Sequence, residues 1–183
     1  MSIVRLIPLI PFAALAACAV APEVVPVPVP APLPASGSWS APISFIGANG
    51  APKGHVRWMR VPEGIDFDIH AKGLPPGDHA LHVHQVGRCE PPGFATAGGH
   101  WNPTAHLHGH QNPAGWHVGD LGSRTASADG TMNTMVRIIG AGNLPFYADG
   151  ASLVIHALID DERTDPSGNS GDRIACAVIA PPR

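Results

Sequence analysis

From Gly37 onward no stretch sustains an apolar repeat of 3.6 residues, so this chain must close its core with strands rather than helices. The clearest repeat has a period of two. Ile65, Phe67, Ile69 and Ala71 alternate with Asp66, Asp68 and His70, the pattern of a strand with one buried face. The turn-forming run Leu74-Pro75-Pro76-Gly77-Asp78 then stops it. Further strands are expected over 56–61, 80–86, 132–138, 152–158 and 174–179. Glycine and proline each number 21 and charged residues make up only 14% of the chain, which suits short strands joined by many turns. A single all-β domain over residues 37–183 follows, since 183 residues leave room for one core once the N-terminal segment is set aside. The net charge of -3 provides no positive field for phosphates, which argues against a nucleic-acid partner.

The first 18 residues have the parts of an export signal: Arg5, an apolar run over 6–17 and small residues before Cys18. That run is too short to span a bilayer, which needs ~20 apolar residues. Leu15-Ala16-Ala17-Cys18 resembles the lipobox of bacterial lipoproteins, in which the cysteine is acylated and becomes the mature N-terminus; a plain signal peptide containing a cysteine is the alternative. On the lipoprotein reading the protein is periplasmic and lipid-anchored, and Ala19 after the cysteine implies the outer membrane. Residues 19–36 carry six prolines and one charge, Glu23. Such a segment favours extended polyproline II at ~3.1 Å per residue and reads as a tether.

Eight of the eleven histidines fall between His79 and His117, most of them in a stretch, 87–130, dominated by Gly, Pro, Asn and His. Loops that long inside a compact domain are usually functional. His82 and His84 flank Val83 on an expected strand, so both imidazoles leave the same face and could grip one cation. Two solvated side chains are the simpler reading of that pair alone. His100, His108, His117 and Asp120 follow at separations of eight, nine and three residues. Three imidazoles and a carboxylate form a closed tetrahedral set that suits Zn²⁺. A loop with so few apolar residues lacks a core of its own, and a bound ion would supply folding energy. A histidine-rich surface loop with adventitious metal affinity is the alternative.

Five segments together carry a resemblance: His82-Val83-His84; Ala97-Gly98-Gly99-His100-Trp101-Asn102-Pro103; His108; His117-Val118-Gly119-Asp120-Leu121-Gly122; and Gly171-Asp172-Arg173-Ile174-Ala175-Cys176. In order and spacing they are similar to the copper/zinc superoxide dismutases, over about 47–179. The resemblance implies a Greek-key β-barrel of about eight antiparallel strands with long metal-binding and electrostatic loops. It implies copper on His82, His84, His100 and His156, and zinc on His100, His108, His117 and Asp120, with His100 shared. It makes Asp160 the outer carboxylate linking the two sets, Arg173 the anion-steering arginine, and Cys89–Cys176 a disulfide, which export would favour. The implied activity converts superoxide to oxygen and hydrogen peroxide through alternating Cu(II) and Cu(I), with His100 exchanging a proton and zinc structural.

A copper-binding or metal-buffering protein on the same scaffold is the rival, motivated by the surplus His106 and His110. Two positions depart from the family pattern: Ala80, where glycine is usual, and Asp172, an acid beside the steering arginine. The family includes monomers and dimers, so a homodimer stays open.

Overall fold

The computed structural model describes Ala35, residues 37–144 and residues 146–183. The expected signal segment, Cys18 and all of the tether but Ala35 lie outside these residues. Eight strands follow in chain order: β1 (Ile43–Gly47), β2 (Pro52–Val61), β3 (Gly64–Ala71), β4 (Gly77–His84), β5 (Asp120–Ala126), β6 (Met132–Ile139), β7 (Ala151–His156) and β8 (Arg173–Ala180). The helical content among the described residues is one 3-10 turn, Ala95–Ala97. All strand pairs are antiparallel, in the hydrogen-bonded order β5-β4-β7-β8-β1-β2-β3-β6. The two ends of that order, β5 and β6, are consecutive in sequence and touch, so the sheet curls into a nearly closed barrel. The β3–β4 and β6–β7 connections cross the barrel ends, as a Greek key requires.

β3 shows why the alternating pattern folds this way. It pairs residue for residue with β2 on one side and β6 on the other. Ile65, Phe67 and Ile69 point inward, fully buried with Val56 and Trp58. On the outer face Asp66 takes two hydrogen bonds from Arg137 across the pair, Asp68 takes one from Arg57, and His70 meets Asn133. Cross-strand pairs of this kind set the register as well as the surface.

β7, and β4 from His79 onward, differ because neither of their faces meets water. Leu81, Val83, Leu153 and Ile155 join the barrel interior, while His82, His84, Val154 and His156 occupy the outer face and are buried there too. The segments 85–119 and 157–172 lie over that outer face. Two backbone bonds tie the first to β4, Val83 N–H to Gly119 O and Trp101 N–H to Val83 O, and a third, Gly119 N–H to Trp101 O, joins the two loop residues, each 2.8 Å. Gly119 has to be glycine, since a Cβ there would sit 2.4 Å from Val83 O. Trp101 is fully buried against Phe146, which also meets Trp58, so aromatic contact continues from the loop into the barrel.

Two strand ends fall short of the expected ones, for one reason. Past His84, the Gln85 and Val86 N–H groups bond to Gly99 and Ala97 carbonyls; past His156, those of Ala157 and Leu158 bond to Asp172 and Ser170. The chain leaves the sheet where the covering loops begin to accept its hydrogen bonds. β1 and β5 were not expected as strands. β1 is short, and β5 has few buried apolar side chains, so its register comes from β4 rather than from its own pattern.

Candidate metal centre

The covered face of β4 and β7 supplies the first donors. His82 and His84 share that face because period-2 geometry sends both outward, and β4–β7 pairing brings His156 beside them. The loop returns His100 through a bridge to His84. Two groups of side chains thereby bring their donor atoms within 4.8 Å of one another: His82, His84, His100 and His156, and His82, His100, His108 and Asp120.

Hydrogen bonds show which nitrogen each ring leaves free. His82 Nε2 lies 2.7 Å from Asp160 Oδ2, His84 Nδ1 lies 2.9 Å from Gly98 O, and His156 Nδ1 faces Ser170 Oγ and Gly171 O. The opposite nitrogens point at one another, with His84 Nε2 and His156 Nε2 3.4 Å apart. His100 Nδ1 lies 2.8 Å from Asp120 Oδ1 and 3.3 Å from His117 Nδ1, leaving Nε2 for the first group. Around Asp120, Oδ2 lies 3.2 Å from His108 Nδ1 and Oδ1 lies 3.3 Å from His117 Nδ1. Proximity alone would put His82 in the second group. Its Nε2 is already engaged by Asp160, however, whereas the Nδ1 atoms of His100, His108 and His117 all converge on Asp120.

His82 Nδ1, His100 Nε2 and His108 Nδ1 are buried without hydrogen-bond partners. Orphaned polar atoms in a dry interior are costly, and three of them facing two common centres fit metal coordination. Burial, above all, keeps the first group neutral: it lowers His82, holds His84 well below its ordinary value, and takes His100 to about 3 and His156 to about 2. Neutral imidazole is the form that binds a cation. Burial also acts against charge on His108, but Asp120 and Asp160 outweigh it and raise His108 to about 10. Both carboxylates are held well below the usual range, despite burial, by the histidines around them.

Asp160 lies between the groups, with Oδ2 to His82 and Oδ1 to His108 Nε2 at 2.9 Å. Cys89 and Cys176 form the disulfide, with 5.7 Å between their Cα atoms. Arg173 does not pair with Asp172. Its guanidinium donates to Phe94 O (2.7 Å) and Gly98 O (2.8 Å), carbonyls of the segment that the disulfide ties to β8. Gly98 O also faces His84 Nδ1, so the arginine and one ring of the first group share an acceptor. A cleft of about 530 Å³ opens over His84, His100, His156 and Arg173.

Ala80 is fully buried and donates to Leu158 O, so the strand accommodates its methyl. His106 packs against Gly115, and His110 Nδ1 meets Glu162 Oε2 at 2.7 Å; neither joins a donor group. Neither His79 nor Gly168 is marked by the sequence. His79 is buried with both ring nitrogens 2.7 Å from carbonyls, those of His156 and Pro75, so it holds the backbone of a group member. Its parity on β4 differs from that of His82, a signal that it faces elsewhere. Gly168 leaves the space between Asp160 and His108; a Cβ there would lie 1.9 Å from Asp160 Oδ1. Only the fold reveals that contact.

Fold and site together define a class: Greek-key barrels that bury a double histidine cluster between the outer sheet face and two covering loops. A model of the family described as "Copper/zinc superoxide dismutase (SODC)" matches residues 53–179, more than half of the chain, and the chain belongs to that family. It is 38% identical over 143 residues to "Superoxide dismutase [Cu-Zn] 2" of Aquifex aeolicus, covering 73% of this chain and 82% of the relative. It is 40% identical over 139 residues to "Superoxide dismutase [Cu-Zn]" of Caulobacter vibrioides, covering 72% and 80%. Among solved structures, a SOD-like protein from Bacillus subtilis superposes with TM-score 0.72 at 33% identity, covering 77% of this chain and 99% of that one.

Proposed function

We propose that this chain is a copper/zinc superoxide dismutase, with copper held by His82 Nδ1, His84 Nε2, His100 Nε2 and His156 Nε2. Zinc would be held by His100, His108, His117 and Asp120, the three rings turning Nδ1 toward that carboxylate. The observation that carries this reading is the set of three buried, partnerless ring nitrogens facing the two centres. Four neutral imidazoles suit Cu(II), and three imidazoles with a carboxylate suit zinc. Copper, when bound, supplies one-electron chemistry in both directions.

The remaining work belongs to the chain. Arg173, fixed by two carbonyls at the cleft wall, presents a positive charge that draws in and orients the superoxide anion. His100 Nε2, at the times when it is not engaged by the metal, would be the atom that holds a proton and gives it to the departing peroxide. Asp160 holds the His82 and His108 rings, and Asp120 holds His100 on its other side. The metal-buffering rival gains no support from His106 and His110, which lie outside both donor groups.

The test is superoxide decay catalysed by the domain loaded with copper and zinc. Turnover above that of equimolar free copper is expected; parity with free copper would refute the enzyme. Arg173→Leu is expected to slow turnover about 10-fold and flatten its salt dependence. Export and lipid anchoring rest on the Cys18 motif. Incorporation of a labelled fatty acid, lost in Cys18→Ser, tests them.

A further inference from the structure

We infer that Ser170 is a positioning residue that sets which nitrogen of His156 faces the copper centre. The inference rests on the assignment of His156 to copper made above. Ser170 is only 1% exposed and lies in the segment covering β7. Its hydroxyl donates to Ser167 O at 2.8 Å, and Oγ lies 3.1 Å from His156 Nδ1. A carbonyl only accepts, so the single hydroxyl hydrogen is directed at Ser167. Oγ can then offer the imidazole nothing but lone pairs. His156 Nδ1 therefore carries the ring hydrogen and Nε2 is left as a bare donor, facing His84 Nε2.

Gly171 O is a second acceptor for Nδ1, but at 3.3 Å it is longer than the usual 2.9–3.0 Å. The hydroxyl is the nearer partner. On the backbone side His79 holds His156 O, so ring and main chain are clamped separately. An acceptor on the remote N–H of a ligand fixes the ring's orientation and raises its basicity. A more basic ring favours Cu(II) over Cu(I), so Ser170 lowers the copper potential. Ser167, which takes the hydroxyl's hydrogen, lines the cleft with Gly171 and Arg173, so the ligand ring is tied to the wall along which the anion arrives.

Ser170→Ala, Ser170→Thr and His156→Ala test this in the full chain. Ser170→Ala is expected to weaken Cu(II) binding about tenfold in a chelator competition, raise the midpoint potential and alter the copper paramagnetic-resonance spectrum. Zinc affinity should change by less than about twofold, and Ser170→Thr, which keeps the hydroxyl, should restore the copper values. In metal-free wild type, nitrogen-15 shifts should report one His156 tautomer with hydrogen on Nδ1, and Ser170→Ala should report a mixture. Unchanged copper affinity, spectrum and potential in Ser170→Ala overturn the proposal, as does hydrogen on Nε2 in the wild type. That wild-type measurement can overturn the proposal even where Ser170→Ala fails to fold. Full copper affinity in His156→Ala would instead overturn the copper assignment itself.

Discussion

The β2-β3-β6 wall and the β4-β7 wall belong to one barrel but are finished differently. In the first, apolar side chains face in and Asp66, Arg137, Asp68 and Arg57 face out, so the strands need no cover. In the second, histidines stand where the first wall has solvated pairs, and loops of low apolar content bury them. The first wall is held by the hydrophobic effect and cross-strand pairs. The second is held by backbone bonds from the covering segments to β4, a disulfide, the Asp160 and Asp120 carboxylates and the metals that the orphaned nitrogens await. One wall is a self-sufficient element, and the other becomes complete only with its ligands.

The sharpest way to separate the two is Phe67→Ala, which empties the interior beneath the first wall. It is expected to cost about 3–5 kcal/mol in chemical denaturation. Copper and zinc per folded molecule should stay unchanged, and parallel loss of metal would mean that the walls are not independent. Removing the metals by chelation should do the reverse. Amides in 98–119 and 160–171 should exchange with deuterium about a hundredfold faster, while those of β2, β3 and β6 change by less than about tenfold. Equal loosening of both regions would break the comparison.

Asp160→Asn narrows the question to one carboxylate. An amide can accept from only one of the two rings, so zinc and copper affinities should fall about 10–100-fold with barrel stability nearly intact. Competition titration and denaturation measure the two halves of that expectation. The smallest effect lies at the β5–β6 turn, where hydrogen bonds from Ser127 and Thr131 lower Asp129 to about 2. A carboxylate depressed on folding stabilises above its unfolded value of 3.8 and loses that effect as pH falls toward about 2. Asp129→Asn should therefore flatten acid unfolding of the metal-free domain between those values, without touching metal content.

Much of the first wall was legible in the chain. The alternation from Ile65 to Ala71 is a local signal, and β3 appears where it falls. The outward-facing pair His82 and His84 was legible for the same reason. β5 was not, because its register is borrowed from β4, and neither were the ends of β4 and β7, because loops distant in sequence take over their hydrogen bonds. His79, Gly168 and Ser170 escaped notice alike: each acts through a neighbour 77, 8 or 14 positions away.

The order of residues alone determined the fold class, the kinds of donor present and the positions from which they leave the backbone. These follow from side-chain chemistry and from the two-residue period of a strand, both local properties. The tertiary structure decided which nitrogen each imidazole leaves free, which carboxylate oxygen meets which ring, and that Arg173 is braced by Phe94 and Gly98 rather than neutralised by Asp172. Those choices are made only when β4, β7, β8 and the two covering segments meet, because each hydrogen-bond partner comes from another part of the chain.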